Sequence, residues 1–83
     1  MKIVRLISWF DKKTDKLVGE YNIDDVDFET LKSIMKPRKK DPLMYYYVYT
    51  VKKKQISKLK QIINIEFDLE NYAYEIGCFQ ILE

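Results

Sequence analysis

Hydrophobic residues change their spacing repeatedly along this chain. Near the amino terminus they fill most positions, with Val4, Leu6 and Phe10 in period-two phase; from residue 27 they recur at every third or fourth position, and from residue 44 they form an almost unbroken apolar and aromatic run. A period of two fits a half-buried strand and a period near 3.6 fits a surface helix, so a chain that switches between them must build a mixed layer structure. Residues 2–10 read as a strand in which Val4, Leu6 and Phe10 share one face, and Asp11 to Asp15 form a polar hairpin loop. Residues 17–23 return as a second strand, with Gly19 marking a bulge. From Asp27 the spacing of Phe28, Leu31, Ile34 and Met35 predicts a helix, which Asp24, Asp25 and Asp27 can cap and Pro37 ends.

Met44 to Val51 is the strongest strand signal, being almost entirely aromatic and β-branched. Residues 52–63 return to a helical period, with Ile56, Leu59, Ile62 and Ile63 on one side and lysines around the other. Ile63, Ile65, Phe67 and Leu69 then alternate with Asn64, Glu66, Asp68 and Glu70, which predicts a strand with one acidic face. A turn at Glu70-Asn71 leads to a last strand over 72–76. The expected fold is α+β: an antiparallel sheet of about four strands with one or two short helices packed on one face, formed as a single domain over residues 1–83.

An 83-residue chain encloses one modest core and leaves no room for separate cofactor and substrate domains. It has no histidine and a single cysteine, Cys78. That excludes imidazole catalysis, Cys/His zinc sites and a disulfide framework. Arg5 interrupts the apolar run too early for a signal-peptide core, and no stretch is long enough to span a membrane, so a cytoplasmic location is expected. No cofactor is expected, and neither is a small-molecule substrate.

The net charge of +2 conceals a strong polarity: residues 1–35 sum to −1, residues 36–60 to +8 and residues 61–83 to −5. The basic segment, with tyrosines between Lys36–Lys40 and Lys52–Lys54, admits a nucleic-acid reading in which lysines meet phosphates and rings stack on bases. It is the less favoured reading, because tyrosines on a strand usually pack a core and lysine-rich helix faces are usually just solvated. Glu66, Asp68 and Glu70 stand in a row rather than converging on a point, which argues against a metal or hydrolytic site. An acidic row does suit docking onto a basic protein, with exposed tyrosines as anchors. The candidate contact residues are Tyr46, Tyr47, Tyr49, Glu66, Asp68, Glu70 and Glu75, and the chain reads as an inhibitor or adaptor rather than an enzyme.

The run from Ser8 to Tyr21, Ser-Trp-Phe-Asp-Lys-Lys-Thr-Asp-Lys-Leu-Val-Gly-Glu-Tyr, resembles the opening hairpin of the cloacin immunity family, which protects cells against ribosome-inactivating ribonuclease colicins. Its Trp-Phe-Asp-Lys-x-Thr and Gly-Glu elements both match. The similarity continues from Tyr46 to Tyr72, with Ile65-Glu66-Phe67 on a family strand and Asn71-Tyr72 at the entry to its closing strand. The carboxy-terminal part also looks like short bacterial proteins with Phe-Asp-x-x-x-Tyr-x-Tyr, here Phe67-Asp68, Tyr72 and Tyr74.

The resemblance implies a cytoplasmic antitoxin that docks on the nuclease domain of a cognate bacteriocin or contact-dependent inhibition toxin. Docking is through the exposed face of an antiparallel sheet, beside the catalytic cleft and with no chemistry of its own. By matching position, Phe10 falls on a sheet-face aromatic of the family interface, Asp11 and Glu20 on family acids, and Tyr46 on its specificity-determining position, a cysteine in the known member. Two departures stand out: Ala73 replaces an interfacial phenylalanine, and this chain is slightly basic where family members are acidic.

Overall fold

Strand-forming and helix-forming segments sort into two layers in the computed structural model, which describes residues 2–81. The ends of the expected 1–83 domain, Met1, Leu82 and Glu83, lie outside the described residues. The elements are β1 (Lys2–Asp11), β2 (Leu17–Asn22), α1 (Phe28–Met35), β3 (Tyr49–Thr50), α2 (Lys53–Leu59) and β4 (Tyr72–Ile81). The strands form one antiparallel sheet in the order β2-β1-β4-β3. This is the α+β architecture that the changing hydrophobic period implies.

β1 and β2 form a hairpin because Asp11 closes its turn. The Asp11 carboxylate accepts the N–H of Lys13 at 2.7 Å and of Thr14 at 3.1 Å, an arrangement that offers the backbone a turn in place of the ladder. Asp15 takes the left-handed conformation, with φ 59°, which aspartate tolerates better than most residues. The pairing register then shifts between Trp9↔Gly19 and Phe10↔Leu17, so Val18 is the extra residue of a bulge. Gly19 is required by its neighbour: a Cβ there would lie 2.3 Å from the Trp9 ring, which crosses directly over it.

One face of the sheet carries the core. Ile7 and Ile76 face each other across β1 and β4 and are both 0% exposed. With Tyr74 and Ile23 they pack against Leu31, Ile34 and Met35 of α1 and Ile56 and Leu59 of α2. Burying each such aliphatic side chain stabilises the fold by about 1.5–3 kcal/mol. α1 starts where Asp27 Oδ2 accepts the Thr30 N–H at 3.0 Å and the Thr30 hydroxyl at 2.8 Å. Both helices therefore lie on this side of the sheet, and among the described residues the other side carries no helix.

Four expected elements differ. The predicted strand over Met44–Val51 is present only at Tyr49–Thr50, because Asp41 takes the N–H groups that a ladder would use. The predicted acidic strand around residues 63–69 is absent: this segment is turn and irregular chain. Ile63 is buried, while Ile65, Phe67 and Leu69 pack at the core margin. The local backbone groups are spent on short-range bonds instead, Ile65 N–H to Ile63 C=O at 3.1 Å and Tyr72 N–H to Asp68 C=O at 3.0 Å. The second helix ends at Leu59 rather than residue 63. The last strand runs on past residue 76 to Ile81.

Candidate partner-docking face

Side chains alternate across a strand, so the residues of β1 and β4 that do not face the helices make up the open face. The register sets them in rows. Glu20, Ser8, Glu75 and Thr50 stand side by side across β2, β1, β4 and β3. One row away are Asn22, Leu6 and Gly77, and on the other side Leu17, Phe10 and Ala73. Val4 pairs with Phe79 and Lys2 with Ile81. Over Gly77 the Val48 and Phe79 side chains close in, at 3.2 Å and 3.5 Å from the position a Cβ would take.

Leu17, Val48, Phe79 and Ile81 are exposed apolar side chains on this surface, and Phe10 and Leu6 are half-buried. Within this apolar field Glu20 and Glu75 flank Ser8, which is 6% exposed. Two strand spacings separate the two carboxylate-bearing positions, about 10 Å. Such a surface combines apolar area with two carboxylates in one row, Glu20 on the edge strand β2 and Glu75 on β4, which suits a partner that presents cations among apolar side chains. Among the described residues no three side chains of the Asp, Glu, Cys or His type gather as a cation site.

The sequence-derived candidates separate into three groups. Phe10, Glu20 and Glu75 share the open face. Asp11, Asp68 and Glu70 lie at the hairpin end of the sheet. There the Lys12 ammonium donates to the Leu69 carbonyl, and Asp11, Lys12, Lys13, Glu70, Asn71 and Tyr72 line a shallow cavity of about 230 Å³. Asp68 is a turn former: its carboxylate accepts the Asn71 side-chain amide at 2.8 Å and backbone N–H at 3.3 Å. The Asn71 side-chain bond comes first in lowering the Asp68 pKa. Glu66 is exposed on the irregular segment and does not share a strand face with Asp68 and Glu70.

Tyr46, Tyr47 and Tyr49 form the third group, organised by Asp41, whose side chain is 1% exposed. The carboxylate accepts the N–H groups of Tyr45 at 2.7 Å, Tyr46 at 3.1 Å and Tyr47 at 3.2 Å, and the Tyr49 hydroxyl at 2.8 Å. Desolvation pushes the Asp41 pKa up, but the bonds from Tyr49 and the three backbone N–H groups outweigh it and hold the carboxyl below the usual range. Tyr49 moves the other way, because burial and its bond to Asp41 keep the phenol protonated. It is a structural ring. Tyr47 lies under the Arg38 guanidinium at 4.5 Å, and Tyr46 projects into solvent at 82% exposure.

Sequence reasoning missed Asp41, Leu17, Val48, Phe79 and Ile81. The period-two parity that placed Phe10 and Leu6 extends to Phe79 and Ile81 once β4 is continued past Gly77. Cys78 is held in its thiol form, its pKa raised first by burial, and no helix of the described residues is long and apolar enough to cross a membrane.

A family model described as a domain of unknown function, DUF7683, matches residues 4–77, from β1 into β4. The chain belongs to the DUF7683 family. No curated protein matches it. The matched span holds the β1-β2 hairpin from Val4 onward, with Phe10 and Glu20, the Asp41-centred loop, both helices, and Glu75.

Proposed function

We propose that this DUF7683 protein is an immunity protein that docks on the nuclease domain of a cognate bacteriocin or contact-dependent inhibition toxin and blocks it by occupancy. The observation that carries the reading is the sheet face on which no helix lies among the described residues, largely apolar, with Glu20 and Glu75 in one row across it and Phe10 in the next. It is built on the hairpin whose Trp-Phe-Asp-Lys-x-Thr sequence resembles the cloacin immunity family. Nucleases carry cations to hold phosphates, so an acidic row attracts them and an apolar surround supplies the contact area. Inhibition of this kind needs no catalytic group in the inhibitor and operates in the cytoplasm, where an incoming toxin acts.

The test is titration of the protein with the nuclease-like carboxy-terminal domain encoded beside its own gene. A stoichiometric complex with loss of nuclease activity supports the reading; no complex with any such domain overturns it.

A second reading rests on one cavity. Lys36, Lys52, Lys54 and Lys58, with Ile34 and Gln55, line a cleft of about 200 Å³ that has no carboxylate in its wall, and a nucleic-acid backbone is the chemistry such a cleft suits. Of the tyrosines, Tyr49 is tied to Asp41 and Tyr47 to Arg38, which leaves Tyr46 as the most exposed ring for stacking. Salt-sensitive retention of RNA or DNA that weakens on Lys54→Glu and Lys58→Glu substitution would favour this reading over toxin docking.

A further inference from the structure

Among the described residues, no strand pairs with the outer edge of β4 beyond Ile76. Val51 donates its N–H to the Tyr74 carbonyl at 2.9 Å, so the even-numbered residues of β4 direct their backbone groups toward the β3 side, as alternate residues of a strand do. β3 pairs only with Ile76 and Glu75. The N–H and C=O of Cys78 and Gln80 thus point outward, with no strand alongside them among the described residues. Continuing the β3 register would set Val48, Tyr47, Tyr46 and Tyr45 opposite Gly77, Cys78, Phe79 and Gln80 in turn. Val48 already lies against Gly77. The chain leaves this line at Tyr47, because the N–H groups of Tyr45, Tyr46 and Tyr47 are held by the Asp41 carboxylate. At the far end of the departure Met44 takes a left-handed φ of 57°, a conformation that costs a non-glycine residue free energy.

We infer that residues 45–48 are a strap with two seats: the Asp41 carboxylate, occupied here, and the free edge of β4. In the second seat Tyr47 and Tyr45 exchange backbone hydrogen bonds with Cys78 and Gln80. The seats compete for the same N–H groups, since those of Tyr45 and Tyr47 are satisfied in either. The run Tyr-Tyr-Tyr-Val has the composition that strands favour; what holds it in the first seat is the set of bonds to Asp41, with Arg38 over the Tyr47 ring and Arg5 bonded to the Leu43 carbonyl beside Tyr45.

Alternation fixes what the second seat would present. Val48 shares the open face with Phe79, so Tyr46, two residues before it, would stand on that face directly opposite Phe79. Tyr46 would then join Phe10, Glu20 and Glu75 on one surface. That consequence for docking rests on the immunity reading; the two seats themselves do not, and the experiment uses no partner.

The native Cys78 makes the second seat detectable. Directly opposed residues of a hydrogen-bonded antiparallel pair have Cα atoms about 5.5 Å apart, within the span a disulfide bridges. In the first seat the Tyr47 ring is instead drawn to Arg38. The full chain carrying Tyr47→Cys is incubated with oxidised glutathione, and the disulfide between the introduced thiol and Cys78 is measured by peptide mapping, with and without Asp41→Asn. The expected result is an intramolecular cross-link whose rate rises at least tenfold when Asp41 is replaced. Amide exchange of Cys78 and Gln80 in Asp41→Asn alone is expected to slow about tenfold, while the Ile7 and Ile76 amides remain protected. No cross-link in a folded Tyr47→Cys chain with either residue at position 41 overturns the inference. If Asp41→Asn does not fold, the Tyr47→Cys chain on its own still decides, because a strap that never leaves Asp41 gives no product.

Discussion

Asp41 shows how one residue overrules a local propensity. Its carboxylate is deeply buried and is stable there only because four donors converge on it. Its folded pKa lies below the ordinary 3.8, so the unfolded chain binds that proton more tightly. The stability it contributes is complete above the unfolded value and is lost as pH falls through the folded one. Thermal melts between about pH 5 and about pH 2 should therefore show a falling midpoint, and Asp41→Asn should flatten part of the fall. Asp68, also lowered, accounts for some of what remains. Equal slopes for the two proteins would remove Asp41 from this role.

Gly19 is constrained by space rather than by backbone, since a methyl there meets the Trp9 ring at 2.3 Å. Gly19→Ala should cost about 1–3 kcal/mol through displacement of that ring. A denaturant midpoint unchanged from the parent would mean that Trp9 yields freely.

At the scale of elements, the Asp27 cap of α1 offers a clean test. Asp27→Ala removes two accepted hydrogen bonds and should lower stability by about 1 kcal/mol, read as a shift in urea midpoint without a change in slope. β1, β2 and α1 were legible in the sequence because their signals are local: two-residue alternation, an Asp-rich turn, a cap followed by apolar residues three and four apart. The tyrosine segment was not, since its strand signal loses to a carboxylate only four residues before Tyr45, and propensity says nothing about competing acceptors. Ile65, Phe67 and Leu69 alternate as a strand would, yet pack at the core margin with no neighbouring strand to pair with. The length of β4 was hidden by Gly77, a strand-weakening residue whose missing side chain makes room for Val48 and Phe79. Of the docking candidates, Phe10, Glu20 and Glu75 follow from parity and the hairpin motif. The acidic row of Glu66, Asp68 and Glu70 depended on a strand that does not form.

For the molecule as a whole, the two sides of the sheet divide the labour. The helix side holds the core: Ile76→Ala should cost about 2–5 kcal/mol and leave little folded protein in a domain of this size. The open side holds few side chains that the fold needs, so Glu20→Lys with Glu75→Lys should change the melting midpoint by no more than a few degrees. The same pair reverses the charge of the carboxylate row on the proposed docking face. Lys53→Glu, on α2 away from that face, changes the net charge by two units in the opposite sense and serves as the control for a charge reversal elsewhere.

The most direct test is calorimetric titration of the neighbouring nuclease domain with the parent protein, the Glu20→Lys/Glu75→Lys variant and the Lys53→Glu variant, after melts show all three folded. The account predicts tight stoichiometric binding by the parent and by Lys53→Glu, and a loss of at least a hundredfold for the open-face variant. Equal affinity for parent and open-face variant, or binding lost only in Lys53→Glu, would contradict it.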